Sequence, residues 1–312
     1  MQQAINAHDI IIFPPFPIRV NDNGLVIGSN KVIKFLPGSV LLLQPSNKST
    51  YNILKISGAN NVTLIDPVIQ GDRYTHIGKL GEWGNGIGIY SSSNITINQP
   101  KISNCWGDGI YLGQLKQNVS GNFNIKIIKA GLVHNRRNGI SVISVNGLSL
   151  IAPHIYYSDG TPPMDGIDFE PNSSTDELKN IDVINPLTVY NKGAGISIGL
   201  KNLYGLIDKQ VDITITQPTD SCSSIGFRAT ATLTRQLNDE IISGTILVKN
   251  PHWIKNDVCP LRVNMLDQHI LLKLVNPTIV DTLNKKLNKS AAAAYLINSG
   301  KINKISQCII TY

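Results

Sequence analysis

Met164-Asp165-Gly166-Ile167-Asp168-Phe169-Glu170-Pro171 sets three carboxylates within six residues of a short β-type segment. Strand residues alternate faces, so Ile167 and Phe169 read as core. Asp168 and Glu170 then stand together on the outside, about 6–7 Å apart along the strand. Gly166 lets the backbone bend, which leaves the facing of Asp165 open. Acids packed this closely repel one another and need a reason. The segment is also one copy of a repeat, and the repeat decides the fold.

Gly-Ile pairs recur at 86, 109, 139, 166 and 195, with Gly226-Phe227 as a weaker sixth, at spacings of 23, 30, 27, 29 and 31 residues. Interleaved with them is a strand ending near proline: Val62–Pro67, Ile95–Pro100, Leu148–Pro153, Ile181–Pro186, Ile213–Pro218, Ile246–Pro251 and Leu272–Pro277. The copy from Phe123 to Ala130 lacks the proline. Such short strands cannot bury an apolar face alone, and stacked as a solenoid they share one continuous core. No helix-period stripe accompanies each repeat. The expectation is an all-β, right-handed parallel β-helix whose coils rise about 4.8 Å each. It spans residues 21–280, after an N-terminal cap and first strand in 1–20. Residues 281–312 are less regular, and Lys285 to Leu296 reads as a helix or a last capping turn.

Composition agrees. The 26 glycines and 16 prolines in 312 residues favour short strands and turns. No window is long and apolar enough for membrane insertion, and Met1 to Pro15 lacks the pattern of a secretory signal. Cys105, Cys222, Cys259 and Cys308 are scattered, which fits free thiols better than a disulfide framework or zinc site. The net charge of +7 suits a polyanion, an acidic polysaccharide included. The cations are dispersed, the densest group being Lys285, Lys286, Lys289, Lys301 and Lys304, and no nucleic-acid motif is visible.

Aligning the Gly-Ile copies gives three columns: Asn85, Asp108, Asn138, Asp165, Ala194 before the glycine; Gly88, Tyr111, Ser141, Asp168, Ser197 after the isoleucine; and Tyr90, Gly113, Ile143, Glu170, Gly199 two places on. Asp108 is two coils, about 9–10 Å, from Asp165, Asp168 and Glu170. Side chains narrow that to the carboxyl separations used in glycoside hydrolysis. These four are the candidate catalytic residues: Asp165 or Glu170 as the acid, with a pKa raised by its neighbours, and Asp108 or Asp168 as base or nucleophile. Arg136 and Arg137 lie on the intervening coil and suit an acidic sugar. Arg73, His76, Glu82 and Trp83 border the same face, and Trp83, Trp106, Tyr111, Tyr156 and Tyr157 offer rings for sugars. Structural roles compete: Asp or Asn before a turn glycine satisfies corner backbone groups, Asp168 and Glu170 suit ion pairs with Arg136, Arg137 or Lys192, and Trp106 suits a corner filler. No spacing demands a metal, no phosphate loop or Ser/His/Asp motif appears, and no cofactor is expected.

Gly38-Ser39-Val40-Leu41, Asn61-Val62-Thr63-Leu64, Trp106-Gly107-Asp108-Gly109-Ile110-Tyr111 and Asn138-Gly139-Ile140-Ser141 resemble the pectate-lyase-like β-helix superfamily. More narrowly, they look like phage tailspike and capsular-polysaccharide depolymerase β-helices. The resemblance covers most of residues 10–280. It implies a polysaccharide-binding protein, an extracellular or virion-associated place, and the homotrimer of the tailspikes. The superfamily hosts hydrolases, lyases, epimerases and non-catalytic members. An endo-glycoside hydrolase acting on a bacterial surface or capsular polysaccharide is the leading expectation. A lyase or epimerase on a uronate glycan and a non-catalytic fibre module are the alternatives. Asp165-Gly166-Ile167-Asp168 also resembles part of the polygalacturonase motif Asn-Thr-Asp-Gly-Ile-Asp, which carries over to Asp165 as an acid. Gly193-Ala194-Gly195 stands where that family has an Asp pair, and no Gly-His-Gly follows.

Overall fold

The computed structural model describes residues 1–116, 120–205, 207–231, 241–264, 269–298 and 307–312. Among them the chain is a right-handed parallel β-helix with three sheets of eleven, ten and nine strands. One coil shows the plan: Val145–Ile151 in the first sheet, His154–Tyr156 in the second, Ile167–Phe169 in the third. Each strand pairs in parallel with its counterparts one coil before and after, so sequence neighbours never pair.

The repeats map onto two of the sheets. The proline-ended strands build the first sheet, with Val62, Ile95, Ile125, Leu148, Ile181, Ile213, Ile246 and Leu272 stacked in one inward column. The Gly-Ile copies build the third, where Ile87, Ile110, Ile140, Ile167, Ile196, Phe227 and Leu261 stack the same way. All are buried, and each such side chain contributes about 1.5–3 kcal/mol on leaving water. From Asp66-Pro67 onward, the corner from first to second sheet is a left-handed residue and, outside the Lys129-Ala130 copy, a proline, as at Ala152-Pro153 (φ 48°). Its free N–H donates to the carbonyl one coil on: Ala152 to Ile184, Asn185 to Thr216. The proline therefore sits where its missing N–H costs no ladder bond.

A helix at Gln2–Ala7 covers the first coil. Ile5 is buried, and the Gln2 amide both donates to the Val26 carbonyl and accepts from its N–H, closing that edge of the Leu25–Ile27 strand. The other end carries a helix at Lys289–Asn298 and a strand, Gln307–Thr311, added to the first sheet. Cys105 and Cys259 are buried, Cys222 and Cys308 half-buried, and no disulfide joins any of the four.

Candidate active site

The columns aligned from sequence are real registers of the third sheet. Its outward face carries Lys55, Gly88, Tyr111, Ser141, Asp168, Ser197, Arg228 and Arg262, one per coil. The corner entering this sheet carries Asn85, Asp108, Asn138 and Asp165, linked by a ladder. Asn85 Oδ1 accepts the Asp108 N–H at 3.0 Å, Asp108 Oδ1 that of Asn138 at 2.9 Å, Asn138 Oδ1 that of Asp165 at 2.8 Å, and Asp165 Oδ1 that of Ala194. The corner role and the site role thus coexist: one oxygen of each aspartate holds the turn, and the other faces a cation.

Those cations are Arg137 and Arg228. Arg137 Nη1 meets Asp108 Oδ2 at 3.1 Å and Ser141 Oγ at 3.2 Å, while its Nη2 meets Glu170 Oε2 at 2.8 Å. Arg228 Nη2 meets Asp165 Oδ2 at 2.6 Å, and its Nε donates to Ser197 Oγ. Between the two arginines lies Asp168, 3% exposed, whose Oδ2 accepts from Asn138 Nδ2 at 3.2 Å. Asp168 faces out of the sheet, yet it is roofed by its neighbours. The Glu170 side chain is 40% exposed and is the open carboxylate of the group.

Burial raises the pKa of all three aspartates. Asp165 is pushed up to about 6, against the pull of Arg228 and the Ala194 N–H. Asp168 is raised well above the ordinary range, first by burial and then by the charges of Asp165 and Glu170. Asp165 has a guanidinium and a backbone donor, and Asp168 only one amide. A proton shared by the pair therefore rests on Asp168. The sequence offered Asp165 or Glu170 as the acid and Asp108 or Asp168 as the base or nucleophile; the surroundings of Asp168 favour its protonated form.

The expected binding residues divide. His76 is sealed: its Nδ1 lies 2.8 Å from Asp72 Oδ2 and its ring stacks on Trp106 at 3.9 Å. Arg136 lies over the other face of Trp106 at 3.7 Å and donates to the Gly81 and Trp106 carbonyls. Arg73 is held by Asp159 at 2.7 Å and by the His134 carbonyl. Arg73, His76, Trp106 and Arg136 thus fasten the long corner loops to one another, and Arg137 organises carboxylates. Trp83 is 46% exposed and Glu82 half-buried, beside Arg136. Tyr111 packs against Tyr90 with ring centres 5.7 Å apart, and its hydroxyl accepts from Asn172 of the 170–177 loop. The alignment stopped one coil short of Arg228. Its signal was present, because Arg228 follows Gly226-Phe227, the weak sixth copy. Arg262, next in the column, makes no ion pair among the described residues.

No protein-family model matches the sequence. It is 30% identical over 162 residues to the SPbeta prophage-derived uncharacterized protein YorA of Bacillus subtilis, and 28% identical over 165 residues to the uncharacterized protein YclG of the same organism. These matches take in 47% and 49% of this chain, and only 28% of the length of either relative. In structure, the chain is similar to a 1,3-alpha-1,4-beta-D-galactose-4-sulfate-3,6-anhydro-D-galactose-2-sulfate 4 galactohydrolase, with a TM-score of 0.67 at 11% identity, covering 92% of this chain and 86% of that one. It is also similar to a polygalacturonase from Erwinia carotovora subsp. carotovora (TM-score 0.56, 13% identity, 89% and 88% covered). A third likeness is to the Streptococcus pneumoniae surface adhesin PfbA (TM-score 0.55, 9% identity, 92% and 74% covered). These likenesses show the fold, a right-handed parallel β-helix.

Proposed function

We propose that the protein cleaves a polysaccharide by glycoside hydrolysis on the outer face of its third sheet. One arrangement carries the reading: Asp168, a buried carboxyl whose surroundings favour its protonated form, stands two residues from the open carboxyl of Glu170. Hydrolysis needs such a pair, a protonated group for the leaving oxygen and a charged one for water or the sugar carbon. Asp168 is the acid and Glu170 the base or nucleophile. Asp165, charged beside Arg228, and Glu170 keep the proton on Asp168. Arg137 and Asp108 position Glu170. Tyr111 lies one side of the acids for a sugar ring, and Arg262 the other for an acidic group. The galactohydrolase and the polygalacturonase share the fold and act on glycans by name, which supports the class. A prophage-derived relative and a surface adhesin support an extracellular or virion-associated place.

A lyase needs a basic side chain able to give up its proton. Burial favours the neutral form of Arg137, but Asp108 and Glu170 outweigh it and drive the guanidinium further toward its charged form, which disfavours that route. The test is product analysis on a panel of acidic and neutral capsular polysaccharides. New reducing ends without ultraviolet absorbance of an unsaturated uronate are expected. Unsaturated ends, or binding without new ends, overturn the reading.

A further inference from the structure

A second column of side chains runs up the other end of the long corner. Asn104, His134, Tyr157, Tyr190, Cys222 and Lys255 follow successive second-sheet strands, each with φ between 51° and 59°. Each backbone N–H donates one coil on, His134 to Tyr156, Tyr157 to Val189, Tyr190 to Ser221 and Cys222 to Ile254. The repeated left-handed geometry launches every side chain from an equivalent point, one coil apart. Where rings occur they stack: His134 on Tyr157 at 4.8 Å, and Tyr157 on Tyr190 at 5.3 Å and within 3° of parallel.

The ladder then loses a rung. Cys222 supplies no ring, its thiol lies 3.5 Å from the Ser221 hydroxyl, and no described ring packs on the far side of Tyr190. Tyr190 is 49% exposed. A cavity of about 450 Å³ opens there, lined by both tyrosines, Lys192, Cys222, Lys255 and Asp257. That volume suits one small ring-shaped ligand and its substituents. Asp159 also lines the cavity, but its charge is met by Arg73 at 2.7 Å; the side chains of Lys192, Lys255 and Asp257 have no ion pair among the described residues, which leaves an excess of one unpaired positive charge.

We infer that this gap is a binding site for an acidic pyranose ring, which takes the place of the missing rung. Its C–H face lies on the electron-rich face of Tyr190, and its carboxylate lies between Lys192 and Lys255. The site is separate from the acid cluster and does not depend on the chemistry assigned there. It gives the protein a hold on an acidic glycan that persists through cleavage elsewhere.

The test is a titration of protein with carbon-13-labelled tyrosine rings, using methyl galacturonoside as probe and the neutral methyl galactoside as its control. Saturable shifts of the Tyr190 ring are expected with the uronoside. Binding of the neutral glycoside should be weaker by about tenfold or more, the worth of one charge-assisted hydrogen bond. Cys222→Tyr fills the gap with a ring and abolishes the response, as do Tyr190→Ala and the double variant Lys192→Ala/Lys255→Ala. Lys126→Ala, the same kind of charge loss on the exposed first sheet, leaves it unchanged, and so does Asp168→Asn. No saturable shift at Tyr190, equal binding of the two glycosides, or full binding by a folded Cys222→Tyr protein overturns the inference. Loss in Asp168→Asn alone moves the ligand to the acid cluster and overturns it too.

Discussion

Two clusters in this β-helix hold buried aspartates with raised pKa values, and they are built differently. Asp220 points into the core of the second sheet. It accepts from Thr188 Oγ1 at 2.7 Å, Ser223 Oγ at 2.7 Å and Asn256 Nδ2 at 2.6 Å, and no cation among the described residues pairs with it. Burial pushes its carboxyl up to about 7. Asp165 and Asp168 face outward, sit between two arginines, and adjoin the open Glu170. A shifted pKa is thus common to both and identifies neither as a site. What separates them is access. The inner cluster is a closed polar plug; the outer one has an exposed carboxylate and a charge gradient along an open face.

Substitutions that break this contrast should differ in kind. The largest effect is expected for Asp168→Asn and Glu170→Gln, each cutting the rate of reducing-end release by about a hundredfold to ten-thousandfold. Asp220→Asn should leave that rate unchanged. Next comes Arg137→Met, which strands Asp108 in the corner without its cation. About 3–5 kcal/mol of stability should be lost, read by chemical denaturation. The same change at exposed Lys126 should cost almost nothing.

Asp220 itself should appear in the pH dependence of stability. Unfolded, it titrates near 4; folded, it keeps its proton to about pH 7. Its contribution is therefore full below about pH 4 and declines as the pH rises toward 7, by up to roughly 4 kcal/mol. Asp220→Asn should flatten that slope, because an amide can donate to the Thr188 and Ser223 hydroxyls as they rotate. Melting curves at pH 4 and pH 8 for the two proteins test it. The smallest effect belongs to Trp83→Ala. It should raise KM a few-fold, with no change in stability, because the ring is exposed and caps no core.

The fold was legible because stacking makes the sequence periodic. Ile110, Ile140, Ile167 and Ile196 occupy one column, and their spacing alone reports the coils. The same register placed Asp165 and Asp168 on one rung and Asp108 two rungs away. It could not reveal the roof. Whether Asp168 is open depends on Arg137 and Asn138 folding over it, which is a matter of side-chain direction and not of register. The loop residues show the same limit. Arg73, His76 and Arg136 are polar and aromatic, as a sugar site requires, and so is the inside of a loop that must satisfy its own backbone. The His76–Trp106–Arg136 stack joins segments up to 60 residues apart with no period linking them. The tyrosine ladder went unread because its rungs follow short second-sheet strands, which carry no motif as marked as Gly-Ile.

The central claim is that Asp168 holds a proton beside an ionised Glu170. The direct test is the carbon-13 carboxyl resonance of Asp168, assigned by its absence in Asp168→Asn and followed through a pH titration. The midpoint should lie well above the ordinary carboxylate range and should fall in Glu170→Gln, where one of the charges raising it is gone. A midpoint near 4, or one that Glu170→Gln leaves unmoved, contradicts the account.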